Sequence, residues 1–164
     1  ASIKEDEPLT VLHIGPALPD TVDFFCDYRC KLHFVDLFDD LPLTETEDSP
    51  RLQEQVDTLL DIQPDTKFDL CLFWDFLNYL DDRALRAFNT AIKPYLHKTT
   101  RAHAFTVRTL DTSFSNQQYG IEQAHMFSVR PRTGAQCHRN QCARDYFQPD
   151  SRHIRYDSAL LRGS

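Results

Sequence analysis

The chain has no long apolar run. Its most apolar stretch, Leu70 to Leu80, is interrupted by Asp75 and Asn78 and is too short to cross a bilayer. The first residues, Ala1-Ser2-Ile3-Lys4-Glu5-Asp6-Glu7, lack the basic segment and apolar stretch of a secretory leader. Lysine is missing from residues 101–164, which hold nine arginines against five acids, whereas residues 1–100 carry 9 Lys+Arg against 20 Asp+Glu. So acidic a first part argues against general nucleic-acid binding, which draws its affinity from phosphate neutralisation. The arginine-only remainder suits a local anionic partner or a solvated face. The cysteines, Cys26, Cys30, Cys71, Cys137 and Cys142, are odd in number, and Cys71 lies inside an apolar run. The expectation is reduced thiols in a cytoplasmic protein, with no disulfide framework.

Motifs are equally sparse. There is no G-x-S-x-G, Walker A or H-E-x-x-H pattern. Cys137-His138-x3-Cys142, with His125 or His153, has no standard metal-ligand spacing, and Cys26-x3-Cys30 is no better. No metal is expected. Arg130-Pro131-Arg132 is a cationic, semi-rigid segment that could contact an anionic substrate or a protein partner; an exposed loop is the first expectation.

What is present reads as a folded α/β chain. Its 164 residues suit one domain, 1–164, large enough to bury a core without staples. Thr10 to Ile14 is an apolar strand entering a turn at Gly15-Pro16, and Pro19 opens a helix with acids in its first turn. Lys31 to Leu37 reads as a second strand ending at Asp36. A helix is expected at 50–62, with Ser49 as its cap and Pro50 at its first position. Phe68 to Trp74 is almost continuously apolar, as a central parallel strand covered on both faces should be. Asp81 to Lys93 carries apolar residues at 84, 85, 88, 91 and 92, a helical period, with Pro94 near its end. Ala102 to Leu110 alternates as a fourth strand. Beyond it the pattern weakens. Residues 112–123 read as a polar loop with a short helix, 124–130 as a strand, 138–147 as a helix and 153–161 as a strand. The β-α alternation implies a mostly parallel sheet with helices on both faces, with the 10–14 strand between 32–36 and 68–74.

Ligands of such sheets bind outside the carboxyl ends of the strands. Three strand ends stand out: Val11-Leu12-His13-Ile14-Gly15-Pro16-Ala17, His33-Phe34-Val35-Asp36-Leu37, and Phe68-Asp69-Leu70-Cys71-Leu72-Phe73-Trp74-Asp75-Phe76-Leu77-Asn78-Tyr79-Leu80. Together they resemble the class I S-adenosylmethionine (SAM)-dependent methyltransferases. Members of that family read "VLDIGxGxG" after the first strand, end the second in an acid, and read "FDLVxxxxVLxYL" through the third. The helix from Asp82 to Tyr95 resembles their "ALRALxxxLKPGG". The likeness covers roughly residues 8–110 and leaves 111–164 as a variable part. It implies a Rossmann-like fold and a SAM site. Gly15, Pro16 and Ala17 would approach the amino-acid moiety of SAM. Asp36, with Leu37, would hold the ribose, and Trp74 and Asp75 would line the transfer cleft.

The chain departs from the family at the first motif. His13 stands where the family has an acid, and Ala17 and Pro19 replace later glycines. Pro16 and Pro19 remove backbone donors where close backbone approach is needed. Two functions follow: a SAM-dependent methyltransferase, or a catalytically silent relative serving protein interaction or regulation. Correspondingly, the partner is a small molecule or a protein.

Overall fold

The computed structural model describes residues 7–47, 50–105, 117–132 and 155–156. Strands β1 (Leu9–Ile14), β2 (Cys30–Val35), β3 (Phe68–Trp74), β4 (Leu96–Ala104) and β7 (Arg155–Tyr156) form one sheet in the order β2-β1-β3-β4-β7. Every pairing in it is parallel. Thus β1 lies between β2 and β3, as the alternation implied. A second, antiparallel pair joins β5 (Gln117–Gln123) to β6 (Met126–Pro131).

Side chains alternate across a strand, so a central strand feeds two layers. Leu12 and Ile14 of β1 and Cys71 and Phe73 of β3 enter one core. Helices α2 (Leu52–Leu60) and α3 (Asp82–Ile92) cover that core. Val11, Leu72 and Trp74 point the other way, toward Phe25 of α1 (Pro19–Cys26) and Ile121 of β5. The chain is therefore α/β with helices on both faces, and the β5–β6 hairpin shares the α1 face.

Local chemistry fixes the helices. Asp81 caps α3 by accepting from the Ala84 N–H at 2.8 Å. Ala84, Leu85, Phe88, Ala91 and Ile92 form its buried stripe, and a 3-10 turn, Lys93–Tyr95, ends it at Pro94. In α2 the buried residues are Leu52, Val56 and Leu60, four apart, and Asp61 stops the helix in the left-handed region at φ 42°. Each fully buried Leu or Phe contributes roughly 1.5–3 kcal/mol. No helix among the described residues is long and apolar enough to cross a membrane.

Several expectations change. Helix α2 begins at Leu52 with Arg51 at its cap position, so Pro50 precedes the helix; Ser49 lies outside the described residues. The fourth strand begins at Leu96, six residues before the expected start, because Thr100 and Ala102 are buried behind polar neighbours. Residues 117–123 are a strand, not a loop with a short helix: they pair with β6, and Tyr119 and Ile121 face the α1 core. Ala124 and His125 form the hairpin turn rather than the start of the next strand. The helix expected at 138–147, and most of the strand at 153–161, lie outside the described residues.

Candidate functional site

The carboxyl ends of β1, β2 and β3 lie at one end of the sheet, because the three strands run parallel. Gly15 has φ 134°, a conformation L side chains rarely adopt, so glycine is needed there. Its N–H donates to Val35 O at 2.8 Å, tying β1 to β2. Gly15 is buried, Pro16 half-buried and Ala17 exposed. Leu37 turns into the α2–α3 core.

Trp74 and Asp75 are both 1% exposed. Trp74 ends β3 with φ 52°, a strained value for a bulky side chain. Its indole N–H donates to His13 Nε2 at 2.9 Å. The His13 proton therefore sits on Nδ1, beside the backbone of Gly15 and Tyr119. Burial pushes the His13 imidazole down from 6.5 to about 4, against a smaller opposing pull from those backbone groups. Asp75 accepts from the Tyr79 hydroxyl at 3.2 Å and does not cap the turn that follows it with its side chain. Asn78 closes that turn by donating to Asp75 O and Phe105 O.

The hairpin lies over this region. Tyr119 stacks on Trp74, ring centroids 5.8 Å apart and planes 16° apart. Phe127 meets the same indole edge-on at 5.6 Å. Gly120 passes so close to α1 that a Cβ there would come within 2.7 Å of both Thr21 Oγ1 and Ser128 Oγ. Thr21 Oγ1 accepts from the Ile121 N–H at 3.1 Å, and Arg130 pairs with Asp20 at 2.6 Å. Arg132, its side chain 8% exposed, lies over the Phe38 ring at 3.6 Å and faces Asp36 at 3.6 Å. Asp36 also accepts from the Phe38 N–H at 3.2 Å. So Arg132, expected in an exposed loop, is a buried contact to the acid at the end of β2.

The structure thus places Gly15, Asp36, Trp74 and Asp75 at one end of the sheet and covers much of it with Tyr119, Phe127 and Arg132. Sequence reading gave Tyr119 and Phe127 no place at this site, took Arg132 as part of a cationic segment, and met His13 only as a departure from the family motif. For Tyr119 the signal was its alternation with Ile121. Among the described residues no three His, Cys, Asp or Glu side chains cluster as a metal site would need. Cys137, His138, Cys142 and His153 lie outside them.

A second polar cluster lies at the opposite, amino end of the sheet. Asp69 accepts from the Thr10 N–H at 2.7 Å and from His97 Nε2 at 2.9 Å. His97 Nδ1 lies 2.8 Å from Thr99 Oγ1.

No protein-family model, no curated protein and no solved structure matches the chain. Its class rests on its own fold: α/β, with a parallel sheet and helices on both faces.

Proposed function

We propose that the chain is a methyltransferase-like module whose cofactor cleft is held shut by its own hairpin, and that it serves protein interaction or regulation. One observation carries this reading. Arg132 and Tyr119 of the hairpin segment engage Asp36 and Trp74, the residues that the resemblance gives to ribose and to the transfer cleft. The first turn fits SAM poorly as well. The Gly15 N–H is spent on Val35 O, and Pro16 has none to offer.

The test is calorimetric titration of the intact chain with SAM and with S-adenosylhomocysteine. No binding heat at millimolar ligand is expected. Saturable binding in the micromolar range or tighter would overturn the proposal.

A second reading is a SAM-dependent methyltransferase with the hairpin as a displaceable lid. The strained Trp74 backbone beside the buried Asp75 favours it, since such strain collects at active sites. Under it, Asp36→Ala weakens SAM binding by about 1.5–3 kcal/mol. Asp69→Ala, at the far end of the sheet, leaves binding nearly unchanged.

A further inference from the structure

The amino end of β4 holds an irregularity that the cleft does not explain. Phe68 pairs with Leu96 and Leu70 with Arg101, so residues 97–100 of β4 stand opposite Asp69 alone. Extra residues of this kind re-aim side chains. Here the excursion is pinned at its base. The Thr100 hydroxyl donates to Phe68 O at 2.7 Å and accepts from the His97 N–H at 2.8 Å.

The pinning sets up a relay. The Thr99 N–H donates to His97 Nδ1 at 3.3 Å, which makes Nδ1 an acceptor and leaves the imidazole proton on Nε2. That proton is donated to Asp69 Oδ1 at 2.9 Å. Asp69 is itself held by the Thr10 N–H on β1. The Thr99 hydroxyl, 2.8 Å from Nδ1, therefore donates to an imidazole whose far side faces a carboxylate. Hydroxyl, imidazole and carboxylate in a line are the arrangement that activates an alcohol as a nucleophile. Thr99 is exposed, and His97 is only partly covered, so an acyl donor can reach the hydroxyl.

We propose that Thr99 is an acyl-acceptor site, modified on its hydroxyl by activated acyl donors such as thioesters or aryl esters, with His97 as base and Asp69 as its positioning residue. Thr99 Oγ attacks the acyl carbon and its proton passes to His97 Nδ1. The bond from carbon to sulfur or aryl oxygen breaks, and the leaving thiolate or phenolate takes the proton from His97. The product is an O-acyl threonine and a free thiol or phenol. The modification is independent of the cleft at the other end of the sheet.

The intact chain is treated with p-nitrophenyl acetate, and the acetylated residue is located by peptide mass spectrometry. The Thr99 peptide should carry a hydroxylamine-labile acetyl group. Thr99→Ser should keep the label, and Thr99→Val should lose it. His97→Gln should slow labelling at Thr99 about a hundredfold, the scale of general-base assistance. Asp69→Asn should slow it and move the midpoint of its pH profile to lower pH, which loss of a merely structural contact would not do. Labelling confined to lysine amines, or Thr99 labelling that is unchanged in folded His97→Gln, would overturn the proposal.

Discussion

His13 joins burial to charge. Its imidazole is pushed down to about 4 in the folded state, while the unfolded chain returns it to 6.5. The unfolded state therefore binds the extra proton first as pH falls. Stability from this group is complete above pH 6.5 and declines as pH drops toward 4, by about 3 kcal/mol over that window. Protonation also places an N–H on Nε2 against the indole N–H of Trp74, which turns a hydrogen bond into a clash of donors. Urea unfolding at several pH values should show the decline, and His13→Gln, which keeps an acceptor but cannot titrate, should flatten it. Equal slopes in the two proteins would assign the acid sensitivity to other groups. Trp74 offers a second test. Trp74→Phe leaves His13 Nε2 without its donor and removes part of a buried ring system, so a loss of about 2–4 kcal/mol is expected in the same assay.

At the scale of elements, the hairpin depends on its docking. A lone two-stranded ribbon is marginal in water. Tyr119, Ile121 and Phe127 supply its apolar side, and Asp20, Thr21 and Asp36 supply its polar anchors. Gly120→Ala should push the ribbon off α1, because the added carbon meets Thr21 and Ser128 inside van der Waals contact. The chain has one tryptophan, and it lies under this ribbon, so undocking should shift its emission to the red. An unshifted spectrum in Gly120→Ala would mean that the ribbon accommodates the methyl group in place. The same dependence explains what could be read in the sequence. Strands β1 and β3 and helix α3 announce themselves because their burial is continuous or periodic along the chain. Strand β5 does not: Gln117, Gln118, Glu122 and Gln123 surround the two residues that dock, and their partners, Trp74 for Tyr119 and Thr21 for Ile121, lie far off in the sequence. Likewise Gly15, Asp36, Trp74 and Asp75 were legible as strand ends. Their neighbours Tyr119 and Arg132 were not, since no local pattern says which distant element a side chain will meet.

For the whole molecule, Cys71 reports global opening. Burial, with Asp69 nearby, pushes its thiol up to about 12, and it is fully buried between the two layers. A disulfide reagent should react at once with Cys26, which is exposed and free, and with Cys71 only at the rate of unfolding. Prompt reaction of Cys71 in native protein would show that the sheet opens locally. The ribbon has a further consequence, one of timing. Its bonds to α1 span 100 and 110 residues of sequence, from Thr21 to Ile121 and from Asp20 to Arg130. A chain growing from its N-terminus completes β1, α1 and β3 long before it makes the ribbon that covers them. Until then Trp74, Phe25 and Leu72 lack their cover from the ribbon, a sticky surface on a nascent chain. Contacts of such long loops form late. In stopped-flow refolding the tryptophan signal should therefore mature in the slowest phase, after the helical signal is complete, and the yield should fall as protein concentration rises.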